Sequence, residues 1–170
     1  MLSDDLRRVL DDGYLAGLSE FDESELRDRR AECQQVEAKV SYLRRLVQGR
    51  LDILSAEMRR REAGAAAGDL SSLVEQLPQI LADKVHAPGP GRMPTNLVPP
   101  DDDALTAELD ALSGPAVSLP DLGAADLEGV AERLRGLEER VSRQRQALFG
   151  VLDAVQAEIA SRYEDAEASG

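Results

Sequence analysis

One stretch of this chain is written twice. Residues 37–61, EAKVSYLRRLVQGRLDILSAEMRRR, align without a gap to residues 138–162, EERVSRQRQALFGVLDAVQAEIASR, sharing Val40/Val141, Gly49/Gly150, Leu51/Leu152, Ala56/Ala157 and Glu57/Glu158. Each copy lies on an apolar seam. The first seam is Val36, Val40, Leu43, Val47, Leu51, Leu54 and Met58. The second is Val130, Leu134, Leu137, Val141, Leu148, Leu152, Val155 and Ile159, interrupted by Gln144. Steps of three and four residues put such a set on one side of an α-helix, and the sustained repeat is that of a coiled-coil seam. The spacing predicts an all-α fold of two long helices forming an antiparallel coiled-coil hairpin. Only the antiparallel arrangement relates the two copies by a perpendicular two-fold axis and brings their centres level.

The remaining chain fits around this pair. A short N-terminal helix is expected within residues 1–20, with Leu6, Val9 and Leu10 on one side. The first long helix is expected over 21–62: Asp22 and Glu25 form a capping box, and Phe21 and Leu26 form a hydrophobic staple. Gly49 is its one weak point, at about 1 kcal/mol against Ala. Residues 63–122 read as a flexible linker with short helices near 70–83 and 102–112, the first containing Pro78. Between these, HAPGPGRMPTNLVPPDDD (86–103) is dense in Pro and Gly. The second long helix is expected over 123–165 and a disordered tail over 166–170. Aromatics are only 3% of the 170 residues and Trp is absent, so a thick globular core is excluded in favour of helix-on-helix packing.

The net charge of −13 argues against nucleic-acid binding through a general basic field. Its distribution is uneven: residues 37–61 hold seven bases and three acids, whereas 101–110 hold five acids and no base. Positive charge is concentrated on the first copy of the repeat. No apolar run is long enough to span a membrane, and the acidic N-terminus does not suit a signal peptide, so a cytoplasmic location is expected. Cys33 occupies a helical apolar position and reads as a small core residue. His86 has no ligand partners at metal spacing, and no nucleophile is accompanied by a base, so neither a metal nor an enzyme is expected.

Beside each seam runs a polar stripe. The first is Glu37, Ser41, Arg44, Gln48 and Asp52, and the second is Glu138, Ser142, Arg145, Phe149 and Asp153. Each stripe sits one residue after its seam, about 100° around the helix, at the rim of any groove between the pair. Arg offers a planar fork suited to a guanine edge or a phosphate, and Asp accepts from the guanine N1–H and N2 donors. Ser and Gln add neutral hydrogen bonds, and Glu holds an Arg in place or accepts from a base. A cyclic dinucleotide presents two such edges and two phosphates with internal two-fold symmetry.

The pattern E-x3-S-x2-R-x3-Q-x3-D on two antiparallel helices resembles the signature of the RsiG anti-sigma factors of actinobacteria. All five positions match in the first copy, at Glu37, Ser41, Arg44, Gln48 and Asp52. Four match in the second, at Glu138, Ser142, Arg145 and Asp153. At the remaining position Phe149 offers a stacking face in place of hydrogen bonds, and Gln146 lies three residues earlier on roughly the same face. The resemblance implies that the ten stripe residues bind cyclic di-GMP, taken up as an intercalated dimer. It also implies that the loaded protein sequesters a WhiG-type sigma factor and represses sporulation genes. Candidate partner contacts are the N-terminal helix and the acidic stretch 101–110. The alternative reading is a structural coiled-coil adaptor with no nucleotide ligand.

Overall fold

The computed structural model describes residues 4–64, 71–80, 109–111 and 121–168, and every regular element among them is helical. Helix α1 (Asp4–Val9) is followed by two 3-10 turns, Asp12–Leu15 and Leu18–Glu20. Helix α2 spans Glu23–Glu62, α3 spans Ser71–Ile80, and α4 spans Ala124–Ala168. Leu109 begins a further helical fragment at 109–111. The Pro/Gly-dense segment 86–103, with His86, lies outside the described residues, as does most of the helix expected at 102–112. The tail expected from residue 166 is helical as far as Ala168.

The long helices begin and pack as their residues dictate. At the start of α2 the Asp22 carboxylate accepts from the Glu25 amide at 2.8 Å, and the Glu25 carboxylate accepts from the Asp22 amide at 2.7 Å. That reciprocal pair satisfies two of the amide donors that a helix N-terminus leaves open. Between the two 3-10 turns the chain reverses through Gly17 at φ 69°, a left-handed conformation natural to glycine.

Helices α2 and α4 pack along most of their length. Arg27, early in α2, donates to the Tyr163 hydroxyl late in α4 at 2.7 Å, and Arg61, near the end of α2, donates to the Leu122 carbonyl just ahead of α4 at 2.6 Å. Between these ends the core contains Val36, Val40, Leu43, Val47 and Leu54 from α2, with Val130, Leu134, Leu137, Val141, Leu148 and Leu152 from α4. Each such side chain contributes roughly 1.5–3 kcal/mol when fully buried. Leu51 and Met58 are half-buried against the same cluster. Cys33 is buried among them, and burial raises its thiol pKa, which keeps it a neutral core residue.

Leu6 and Val9 are buried in the chain's own core, with Leu10 packed against it, so this face of α1 is covered. A six-residue helix has too few hydrogen bonds to persist alone, and packing on α2 supplies what it lacks. Leu109 is likewise fully buried, and Arg50 holds it by donating to its carbonyl at 3.2 Å and pairing with Asp110 at 2.5 Å.

Candidate ligand-binding site

The two polar stripes meet across the helix pair as two matching clusters. In one, Arg44 from α2 donates through Nε to Glu138 at 3.0 Å and to Ser142 at 2.8 Å, both on α4. Ser142 itself donates to the same Glu138 oxygen at 3.0 Å. In the other, Arg145 from α4 donates through Nε to Glu37 at 3.1 Å and to Ser41 at 2.8 Å, both on α2. Ser41 donates to that Glu37 oxygen at 2.6 Å. The repeat offset exchanges the clusters: Arg44 maps onto Arg145 and Glu138 onto Glu37.

Helical spacing explains this assembly. Glu37 and Ser41, like Glu138 and Ser142, are four residues apart and so lie one turn apart on one face. The stripe lies beside the seam, so burying the seam carries each row to the edge of the opposite helix. All four charged groups remain partly in water, with side-chain exposures of 34% for Arg44, 22% for Glu138, 35% for Arg145 and 17% for Glu37. At that exposure each ion pair contributes only about 1 kcal/mol or less, so the clusters are weak braces that a better partner can displace. Among the described residues only Nε of the Arg44 and Arg145 guanidiniums is hydrogen-bonded, which leaves the two terminal nitrogens of each with donors to offer.

The fourth stripe position separates the two clusters. Gln48 donates to Glu138 at 3.0 Å, giving that oxygen a third donor. Phe149 has no such donor. Its ring lies under Arg145 instead, with the guanidinium carbon 4.6 Å from the ring centroid. Of the fifth positions, Asp52 is half-buried and Asp153 is exposed. Arg45, Arg140, Arg143 and Gln146 are exposed on the flanks.

Two further pairs obey the same symmetry and were not singled out from sequence. Arg61 bonds Glu57 at 2.5 Å and the Leu122 carbonyl, and its counterpart Arg162 bonds Glu158 at 2.9 Å and the Phe21 carbonyl at 2.5 Å. Arg162 also donates to the carbonyls of Leu18 at 3.3 Å and Ser19 at 3.1 Å. The signal was available, since Glu57/Glu158 and Arg61/Arg162 both fall inside the aligned repeat. The side chains of Arg60 and Arg61 both turn back onto Glu57, which is fully buried. The Arg60 hydrogen bond, with that of Arg61, outweighs burial and holds the Glu57 carboxyl below its usual range.

The fold and the clusters together define an all-helical protein whose long helix pair carries two matching, partly exposed hydrogen-bonding clusters. Among the described residues no cluster of His, Cys, Asp and Glu could hold a metal, and no helix is long and apolar enough to cross a membrane. Residues 12–81 match the family model RsiG, described as RsiG-like. This is the family to which the stripe pointed, and the matched stretch includes the complete first copy, Glu37 to Asp52. No curated protein matches the chain.

Proposed function

We propose that this chain is a cyclic di-GMP-dependent anti-sigma factor whose two long helices run antiparallel and take the ligand, as a dimer, between the stripes. When loaded it sequesters a WhiG-type sigma factor in the cytoplasm and represses sporulation and differentiation genes. The observation that carries this reading is the pairing of Arg44 with Glu138 and Ser142, mirrored by Arg145 with Glu37 and Ser41. Antiparallel packing is supported by Arg27 reaching Tyr163 while Arg61 reaches Leu122.

The chemistry follows from the clusters. The terminal guanidinium donors of Arg44 and Arg145 suit guanine edges or phosphates. Glu37 and Glu138 fix each guanidinium before the ligand arrives, which lowers the ordering cost of binding. Asp52 and Asp153 are the acceptors for guanine N–H groups. The ligand bridges both helices and so fixes their spacing. By linkage, a sigma factor that recognises the braced pair must then tighten ligand binding by the same factor.

A second reading is favoured by one feature: the clusters satisfy each other without a ligand, as a polar register lock in a plain coiled-coil adaptor would. Calorimetry with cyclic di-GMP separates the two. Micromolar or tighter binding, weakened at least tenfold by Arg44→Ala and by Asp52→Ala, is expected from the loss of charged hydrogen bonds worth about 1.5–3 kcal/mol each. No binding leaves the adaptor. A WhiG-type sigma factor should be recovered in a pull-down only when ligand is present, and equal recovery without it discards gating.

A further inference from the structure

We infer that the two half-sites are unequal, and that Phe149 makes the Arg145 half-site the tighter one for a cyclic dinucleotide. This deepens the functional reading above and rests on it. The Arg145 guanidinium lies over the Phe149 ring at 4.6 Å, within the range of a cation–π contact, while its Nε is held by Glu37 and Ser41. Two restraints from different directions fix the plane of the fork before ligand arrives. At the other half-site Arg44 has its Nε restraint, but the fourth position is a hydrogen-bonding group already engaged: Gln48 donates to Glu138 at 3.0 Å. A ligand that draws on Gln48 must first break that bond. The stacked guanidinium also presents an extended flat surface, which suits a purine base face. The repeat makes each position an internal control for the other, since Gln48 and Phe149 are counterparts in a common frame.

The test is calorimetric titration of the full chain with cyclic di-GMP, comparing wild type with Phe149→Gln and Gln48→Phe. Circular dichroism checks that helical content is kept; both positions are partly exposed, so neither change opens the core. Phe149→Gln is expected to weaken binding about tenfold, the order of a cation–π contact and its preorganisation. Gln48→Phe is expected to tighten it, which simple damage to packing cannot do. Unchanged or tighter binding by Phe149→Gln, or weaker binding by Gln48→Phe, overturns the inference. If wild type binds and Arg44→Ala does not, those outcomes overturn the inference alone. If wild type fails to bind, the functional reading falls and takes this inference with it.

Discussion

Glu57 has none of its side chain exposed, and the two arginine side chains on it are nearly as covered, at 11% for Arg60 and 15% for Arg61. Removing the carboxylate takes from both cations, in a poorly hydrated place, the buried charge they share. Glu57→Gln should therefore cost about 3 kcal/mol, read by urea unfolding at neutral pH. The acid limb gives a second readout. Because the folded-state pKa is depressed below its ordinary value of 4.5, the stabilisation is complete above that value and is lost as pH falls through the folded-state value. Wild type should thus lose more stability than Glu57→Gln between pH 5 and pH 3, and equal losses would show that Glu57 contributes nothing through its charge. At this scale legibility was uneven. Glu37, Ser41, Arg44 and their counterparts were readable because helical spacing fixes which residues share a face. The role of Arg61 and Arg162 was not, because a side chain reaching a carbonyl on a neighbouring segment leaves no periodic trace.

Within the helices, the seam is where local pattern and packing agree. One of its positions dissents. Leu43 is fully buried, and its counterpart Gln144 has a buried side-chain oxygen with no hydrogen-bond partner among the described residues. An unsatisfied buried carbonyl costs about 1–3 kcal/mol, so Gln144→Leu, which copies Leu43 into the second helix, should raise the thermal midpoint. A lower midpoint would mean that Gln144 is satisfied in solution. Both long helices were legible almost to their ends, since Asp22 and Glu25 announce the start of α2 and a continuous seam carries each helix forward. The short N-terminal helix was legible only as a helix. Leu6 and Val9 on one side show that a face must be covered, but the pattern is the same whether the cover is a partner or, as here, the chain's own core.

Over the whole molecule the duplication reaches further than the stripe. Phe21 and Leu122 lend carbonyls to Arg162 and Arg61, Leu26 and Leu127 are both fully buried, and Glu37/Arg145 mirrors Glu138/Arg44. Each end of the helix pair is thereby fastened by an arginine, held by a glutamate one turn earlier on its own helix, that reaches a carbonyl beyond that helix, and the polar clusters lie between the two fastenings. Arg162 couples one end to the 3-10 turns, and through them to α1, so a ligand that alters helix spacing at the stripes acts on a structure tied to the N-terminal segment. The pairing of the two long helices was legible because each carries a copy of one gapless repeat on an apolar seam. The placement of Leu109 was not, because a fragment packed by one buried leucine carries no repeat of its own.

The most direct test of a site shared between the two helices is equilibrium titration with cyclic di-GMP of Arg44→Ala and Arg145→Ala side by side. Each substitution, though on a different helix, should weaken binding by about tenfold or more. Wild-type affinity in either variant would contradict a site to which both stripes contribute.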